Sequence, residues 1–454
     1  MEKWDIIVYF LLIGFLLFIG KVLKTKFPFL NRIVIPTALL GGIIGLLFSS
    51  VVIPGSYTID VQLMTAVVYH ALALGFIALA LKDSEHQNKR KLWSTGMVIT
   101  STYALQGFIG ILLVMLFWGE KFIGSGMLLA LGFGQGPGLA TSFGGMWDKA
   151  PNFMLDGFGV ALGASYAFLG YLWGGIIGVF AINIISRKRG LTKPKQYEDK
   201  SIQKTTIEID TVKEVNVMDG LTLQLVIIFL IYGLVWLTLF LLQKVLVNLG
   251  SIGGTIFGLL EGFNFIIGIL YALIYKSVLK KLAKRGHKTS ILTNNYLLSN
   301  ISSTCFNFMI AGAVLSITLD FIVEYGTLLA VVSTIGGVLT LLYLIYITRL
   351  VYKQHTSEYF VGLYGMLTGT ASTGIALVKG LDPQLQTPVA EELVLGSGTA
   401  IAMALPLFAI LMLPSLGFGT ANQGLFDYIA LFGCLAFMLV MVVILVVRNK
   451  KQPT

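Results

Sequence analysis

Two glycine-rich stretches hold the residues of this chain whose types and spacing could bind a ligand. The first reads Gly-Phe-Gly-Gln-Gly-Pro-Gly over residues 132–138, and the second reads Leu-Thr-Gly-Thr-Ala-Ser-Thr-Gly over residues 367–374. Glycine, proline and hydroxyl residues offer little apolar surface and break helices, so such backbone at membrane depth must be buried in protein or line a watery cavity. Paired interruptions at matching positions in two halves of a chain indicate a transporter's binding site.

The two stretches offer both kinds of group that a small anion and a cation need. Broken helices leave backbone N–H groups free for carboxylates, whereas carbonyl and hydroxyl oxygens suit a hard cation such as sodium. The predicted substrate-binding residues are Gly134, Gln135, Gly136, Gly138, Thr141, Ser142, Thr368, Gly369, Thr370, Ser372 and Thr373. An alternative is that these small residues let two helices approach closely in a scaffold without a transport pathway.

Other polar residues inside apolar runs are weaker candidates. The possible ion-binding residues are Ser165, Asn300, Ser303, Asn307, Ser397 and Thr399. Hydrogen bonding between helices explains them equally well. Among ionisable residues, Glu261 could bind a cation or a proton, Lys379 could attract an anion or neutralise Asp382, and His70 is expected to be structural.

The composition places these residues in a polytopic membrane protein. Of 454 residues, 56% are hydrophobic and 12% are charged, far from the composition of soluble domains. The net charge of +10 comes from Lys and Arg in short segments between apolar runs, which is a topology signal and does not indicate nucleic-acid binding. Cys305 and Cys434 both lie in apolar runs, so we expect neither a disulfide nor a metal-binding cluster.

Runs of about 20 apolar residues predict an all-α protein with eleven spans. The predicted spans are 6–23, 33–53, 61–81, 95–118 and 157–185 in the first half, 221–246, 252–275, 296–319, 328–348 and 388–413 in the second half, and 425–447 at the end. The glycine-rich segments 124–146 and 359–379 are predicted to be re-entrant, because nearly all of the basic residues then face one side; the few on the other side are Lys3, Lys121, Lys149 and Lys244. The side with most of the basic residues is the cytoplasm, with the N-terminus outside and both the linker and the C-terminus inside.

Five spans and one re-entrant segment in each half predict two repeats of inverted topology. The predicted organisation is a first membrane repeat at 1–185, a cytoplasmic linker at 186–217, a second repeat at 218–413, and an extra C-terminal helix with a basic tail at 414–454. Asp148 and Asp382, which follow the two glycine runs, are a further point of resemblance between the halves.

The expected function is secondary active transport of a small organic anion by alternating access. No catalytic constellation and no phosphate-binding loop is present in the sequence, so we expect neither an enzyme nor an ATP-driven pump, and no cofactor other than a coupling ion. Two rivals stay open, which are a proton-coupled carrier of another organic anion, with Glu261 as the first suspect, and a passive channel.

The chain resembles the sodium/glutamate symporter family over most of both halves. The resemblance rests on Ile-Pro-Thr-Ala-Leu-Leu-Gly-Gly at 35–42, on the glycine-rich run 132–145 followed by 157–178, and on 364–376 with its following span. It implies import of glutamate or a related dicarboxylate with sodium. It also implies a scaffold part and a moving part that contains the re-entrant segments, in a homodimer of the plasma membrane.

Overall fold

The structure is a computed structural model of the chain. It describes residues 2–27, 36–49, 59–82, 89–148, 157–189, 220–246, 264–286, 292–315, 319–382 and 386–450, with a few single positions between these ranges. Over these residues the protein is helical and contains no strand. The predicted all-α membrane protein is therefore confirmed at the level of fold class, while nearly all of the linker 186–217 lies outside the described residues.

The helices are numbered here in chain order. They are α1 (Glu2–Lys26), α2 (Thr37–Phe48), α3 (Val61–Leu81), α4 (Lys89–Phe117), α5 (Leu129–Gly134), α6 (Pro137–Asp148), α7 (Phe158–Lys188), α8 (Gly220–Leu246), α9 (Asn264–Lys284), α10 (Asn295–Leu315), α11 (Leu319–Val351), α12 (Thr356–Met366), α13 (Ala371–Val378), α14 (Val389–Met403), α15 (Leu405–Gly417) and α16 (Gln423–Lys450).

Eight of the described helices are long and apolar enough to cross a membrane, and a bent pair adds a ninth. The eight are α1, α3, α4, α7, α8, α10, α11 and α16, and each coincides with a predicted span. The bent pair is α14 and α15, which meet at 57° within the predicted span 388–413. Pro406 accounts for the bend, because proline in the first turn of α15 cannot donate the backbone hydrogen bond that would continue α14.

Two other predicted spans differ from what the structure describes. Helix α2 covers twelve residues of the predicted span 33–53, from Thr37 to Phe48, and the backbone of Ser49 after it is extended. Much of the predicted span 252–275 before Asn264 lies outside the described residues, and α9 continues to Lys284. Helix α9 therefore continues past the end of the predicted apolar run, and its last turns contain basic residues.

The described helices form two compact units. The first unit comprises residues 1–65, 87–195 and 310–454, and so contains α1, α2, α4–α7 and α11–α16. The second comprises residues 66–86 and 196–309, with α8, α9 and most of α3 and α10. Each unit contains segments from both halves of the sequence, so the two units do not correspond to the two predicted repeats. The predicted repeat boundaries stay predictions.

Apolar side chains hold the second unit together. Ile77 and Leu81 of α3 pack with Ile228 of α8, Ala272 of α9 and Leu298 of α10 in a buried cluster. Van der Waals packing of side chains between helices is one of the interactions that hold helices together in a membrane.

Glycine holds the helices of the first unit at close range. A Cβ atom at Gly144 of α6 would lie 1.9 Å from the Gly159 carbonyl oxygen of α7, and one at Gly163 would lie 2.4 Å from the Ala140 carbonyl oxygen. Any side chain at these positions would therefore separate α6 from α7. Small residues let helix backbones approach in this way within membranes.

Asp148 closes the connection between α6 and α7. Its carboxylate accepts hydrogen bonds from the backbone N–H groups of Gly159 (2.8 Å) and Val160 (3.4 Å). These N–H groups belong to the first turn of α7, where no intrahelical acceptor exists. Asp148 is therefore a cap that the end of one helix supplies to the start of the next.

We expect Asp148→Ala to destabilise the protein by about 1 kcal/mol, since it removes a helix cap. The measurement is the temperature at which half of the detergent-purified protein aggregates. Glu324→Ala is the control, because the Lys121–Glu324 ion pair has a Glu324 side chain that is 60% exposed and such pairs contribute little. Equal stability of the Asp148→Ala variant and the wild type would contradict the capping role.

Candidate functional site

The first glycine-rich segment is a broken helix. Helix α5 ends at Gly134, α6 begins at Pro137, and Gln135 and Gly136 form the break, which is called the first tip below. Gly136 has a φ of +73°, in the left-handed region that side-chain-bearing residues rarely adopt. Pro137 suits the first position of α6 because it needs no hydrogen bond to its missing N–H.

Helices α5 and α6 form a hairpin whose two ends lie at the same end of the first unit. Phe122 precedes α5, Trp147 lies in the last turn of α6, and their ring centroids are 5.4 Å apart. The Phe122 ring also lies 6.3 Å from that of Phe158, the first residue of α7. We call this the aromatic end of the unit. Both ends of this segment therefore lie at one end of the first unit.

The second glycine-rich segment forms another hairpin. Helix α12 ends at Met366 and α13 begins at Ala371, so residues 367–370 form the second tip. The arms pack closely, since a Cβ atom at Gly374 would lie 2.4 Å from the Gly362 carbonyl oxygen. This approach explains the glycine in each arm.

The second hairpin opens at the end opposite to the aromatic end. Glu358, in the first turn of α12, forms an ion pair with Arg189 at 2.5 Å. Gly380, just after α13, lies against Ile182. Ile182 lies in the last part of α7 and Arg189 directly follows that helix, whereas α7 begins at the aromatic end with Phe158. The two hairpins thus enter the unit from opposite ends.

The two tips meet inside the first unit. A Cβ atom at Gly136 would lie 2.8 Å from Cγ2 of Thr370 and 3.3 Å from the carbonyl oxygen of Gly369. Gly136 and Gly369 are buried, and Thr368 has no exposed surface. Two residue sets separated by more than 200 positions in the sequence therefore form one buried junction, which is called the tip junction below.

Helix α7 runs past both tips. A Cβ atom at Gly170 would lie 2.6 Å from the Thr368 carbonyl oxygen, and one at Gly174 would lie 2.8 Å from the Thr368 hydroxyl. The Tyr171 ring lies against Gly369, and its hydroxyl faces Gly136. The glycines of α7 therefore let the second tip approach its backbone.

Helix α4 binds both tips through two side chains one turn apart. The Tyr103 hydroxyl donates to the Gly134 carbonyl (3.2 Å) and accepts from the Gln135 side-chain amide (2.8 Å). The Gln106 amide donates to the Leu367 carbonyl (2.8 Å) and to the Thr340 hydroxyl of α11 (3.1 Å). Gly134 is the last residue of α5 and Leu367 directly follows the last residue of α12, so α4 provides a donor for a carbonyl at the end of the first arm of each hairpin.

A family model described as Sodium/glutamate symporter matches residues 3–378. The chain belongs to the sodium/glutamate symporter family. The matched range includes both hairpins and ends at the last residue of α13. Comparisons with curated proteins and with solved structures return no match.

Family membership and the eight candidate spans together make this chain an integral membrane transport protein of the symporter type. The tip junction is therefore a candidate binding site in a member of a sodium/glutamate symporter family.

Several predicted hydroxyl groups bond within their own hairpins. Thr141 donates to the Pro137 carbonyl (2.6 Å) and Thr368 to the Tyr364 carbonyl (2.7 Å). The Thr370 and Thr373 hydroxyl oxygens are 3.4 Å apart across the first turn of α13. The hydroxyl of Ser142 is buried without a hydrogen-bond partner in the described part of the chain, whereas the Ser372 side chain lies outside it.

The weaker candidates on α7 and α14 show less connection to the tips. Ser165 is buried on α7. Ser397 donates to the Val394 carbonyl (2.6 Å) and Thr399 to the Gly396 carbonyl (2.9 Å), both within α14. Thr399 also packs on Gly96 of α4. The hydroxyls of Ser397 and Thr399 thus satisfy the backbone of their own helix.

Asn300, Ser303 and Asn307 lie on α10 in the second unit, whereas the tip junction belongs to the first. Asn300 and Ser303 are exposed and Asn307 is partly buried. Their role as ion ligands stays a prediction.

Three of the ionisable residues that the sequence singled out, Glu261, His70 and Asp382, take part in hydrogen bonds. The Glu261 carbonyl accepts from the Tyr69 hydroxyl at 3.0 Å, and His70 Nδ1 lies 2.6 Å from the Tyr232 hydroxyl. The Asp382 carboxylate accepts from the backbone N–H groups of Gln386 (3.1 Å) and Thr387 (2.8 Å). Burial acts to raise the pKa of Asp382, but these hydrogen bonds outweigh it and lower that pKa.

Three residues of the tip junction had not been predicted, namely Tyr103, Gln106 and Tyr171. Gln106 carries a neutral amide within an apolar span, and this polar side chain could have been singled out from the sequence as a candidate hydrogen-bonding group. Tyrosines are common in this chain, with 18 in total, so the sequence could not single out Tyr103 or Tyr171.

Proposed function

We propose that this protein imports glutamate or a related small dicarboxylate together with sodium, by alternating access at the tip junction. The observation that carries the proposal is the contact between Gly136 and Thr370, at the tips of two hairpins that enter from opposite ends. Broken helices that meet within a membrane protein are a recurring design for transporter sites. Movement of one hairpin or the other would then close the tip junction to one side of the membrane while it stays open to the other side.

The starts of α6 and α13 suit a dicarboxylate. The Ala140 N–H bonds to the Gly136 carbonyl and the Gly374 N–H to the Thr370 carbonyl. The N–H groups of Gly138 and Leu139, and those of residues 371–373, precede these bonds and have no acceptor within their helices. Two helix N-termini at one junction offer a favourable place for each of two carboxylates.

The same junction offers oxygens to a sodium ion. Helices α5 and α12 end there, so their last carbonyl groups carry the negative end of the helix dipole. The Thr370 and Thr373 hydroxyls add neutral oxygens beside them. Sodium bound in this place would offset the charge of the substrate, which is the reason for coupling the two. Sodium is the coupling ion in this proposal, and no other cofactor takes part.

Two observations support inverted-topology repeats. The hairpins enter from opposite ends, and Asp148 and Asp382 each accept two backbone N–H groups from the chain that follows their hairpin. The clustering of Arg187, Lys188 and Arg189 at the end of α7 favours a cytoplasmic position for that end. The N-terminus would then lie outside. A homodimer with the second unit as scaffold is proposed on the family resemblance.

The test is uptake of radiolabelled glutamate into proteoliposomes that contain the purified protein. We expect accumulation above equilibrium with an inward sodium gradient and none with an equal potassium gradient. Accumulation that follows a proton gradient without sodium would favour the proton-coupled rival and direct attention to Glu261. Glutamate flux that only equilibrates would favour a channel, since a channel cannot concentrate its solute.

A further inference from the structure

Tyr171 lies between the two tips. It belongs to α7 and is less than 2% exposed. Its Cδ1 atom lies 3.1 Å from the position of a Cβ atom at Gly369, and its hydroxyl oxygen lies 3.5 Å from the position of one at Gly136. A single side chain from a third element therefore touches the glycine of each tip.

The Tyr171 hydroxyl is buried without a hydrogen bond. The Thr370 side chain lies close enough to interact with it, but the two groups do not have the distance and angle of a hydrogen bond, and no other group in the described part of the chain bonds to it. A buried polar group without a partner costs free energy. The hydroxyls of Tyr166 and Tyr364 also lack a partner in the described residues, and Tyr171 differs from them because it lies against the glycines of both tips. Such a group at a candidate binding site suggests that a ligand completes its hydrogen bonding.

Tyr103 provides a comparison at the same junction. It is also fully buried and lies against Gly134, but its hydroxyl is already engaged by the Gly134 carbonyl and the Gln135 amide. Tyr103 therefore holds the first tip in place. The hydroxyl of Tyr171 makes no such hydrogen bond to either tip.

We propose that the Tyr171 hydroxyl donates a hydrogen bond to a carboxylate of the bound substrate and helps to select dicarboxylates. This inference rests on the proposed function and deepens it. A phenol is a neutral donor, so it can lie buried between closed tips without the cost of an unpaired charge. The packing of its ring on Gly369 fixes the direction of the hydroxyl, so a substrate that lacks an acceptor there would leave the donor unpaired.

The experiment compares Tyr171→Phe with the wild type in the full-length protein in proteoliposomes. The substitution keeps the ring and removes one oxygen. We expect the KM for glutamate to rise about tenfold, which is the effect of losing one hydrogen bond to a charged group. The sodium concentration for half-maximal uptake at saturating glutamate should not change. Glutamine has a neutral amide in place of one carboxylate of glutamate. The Tyr171→Phe substitution should therefore weaken the inhibition of uptake by unlabelled glutamine less than it weakens the inhibition by unlabelled glutamate.

The control is Tyr343→Phe, which removes a hydroxyl that donates to the Ser101 side chain (2.7 Å) between α11 and α4. We expect its KM for glutamate to match that of the wild type. A second readout, which needs no transport, is the increase in thermal stability that glutamate gives to the detergent-purified protein. This increase should be smaller in Tyr171→Phe than in the wild type, and unchanged in Tyr343→Phe.

Three results would overturn the assignment of Tyr171 while leaving the proposed function in place. They are an unchanged KM for glutamate with an unchanged sodium requirement, an equal rise of KM in the Tyr343→Phe control, and a raised sodium requirement with an unchanged KM, which would make the hydroxyl an ion ligand. A wild-type protein that neither binds nor transports glutamate or any other dicarboxylate would instead contradict the proposed function, and this inference would fail with it.

Discussion

Replacement of Gly136 by alanine is expected to lower sodium-driven uptake by about a hundredfold. A residue with a side chain pays about 1–2 kcal/mol to adopt the left-handed backbone. The new methyl group would also lie 2.8 Å from Thr370 Cγ2, and overpacking of this kind costs about 1–3 kcal/mol. Together these effects separate the tips, and each 1.4 kcal/mol corresponds to about a factor of ten. The measurement is initial uptake into proteoliposomes at matched protein content.

Gly286→Ala is the matched control for Gly136→Ala. Gly286 also has a positive φ, of +89°, but a Cβ atom there would meet nothing within 4 Å. It therefore carries the backbone strain without the contact to a tip. We expect near-normal uptake in this variant. An equal loss in both variants would mean that strain alone explains the effect, and it would argue against the tip junction as the transport site.

Gln106→Leu is expected to lower kcat/KM for uptake by about ten- to a hundredfold. The leucine nearly matches the volume of glutamine but cannot donate to the Leu367 carbonyl, which then stays buried and unpaired. Leaving a buried acceptor without its donor costs about 1–3 kcal/mol. The second tip should respond by moving away from α4. Uptake kinetics and the thermal stability of the purified protein together measure the effect.

Thr340→Val separates the two hydrogen bonds of Gln106. It removes the hydroxyl on α11 but keeps the bond from Gln106 to the Leu367 carbonyl. We expect kcat/KM to change by less than about threefold, because one ordinary hydrogen bond contributes little net free energy. If Thr340→Val and Gln106→Leu lose activity to the same degree, then packing between α4 and α11, and not the position of the second tip, explains the Gln106 result.

Much of the architecture was predictable because apolar runs and helix breakers are local signals. The spans at 61–81, 95–118 and 425–447 correspond closely to α3, α4 and α16. The glycine-rich runs predicted two breaks, and the structure has breaks at residues 135–136 and 367–370. Periodicity could not predict the 57° bend at Ala404, since a hydropathy average does not register the missing N–H of Pro406.

The sequence was less informative about the side chains around the site. Ser397 and Thr399 carry hydroxyl oxygens of the kind that bind ions, yet these hydroxyls donate hydrogen bonds to backbone carbonyls of α14. Gln106 and Tyr171 reach the tips from α4 and α7, and the predicted list contained neither. A hydroxyl or an amide in a span has the same appearance in a sequence whether it bonds its own helix or a distant one, because that choice depends on packing.

The amino-acid sequence by itself determined that this is a helical membrane protein with two interrupted segments, because hydrophobicity and helix breaking act over a few neighbouring residues. Only the tertiary structure decided that Gly136 meets Thr370, that α4 binds the ends of both hairpins, and that Tyr171 lies between the tips. These contacts join residues far apart in the chain, and they depend on how closely glycine allows helices to pack, which no local pattern encodes.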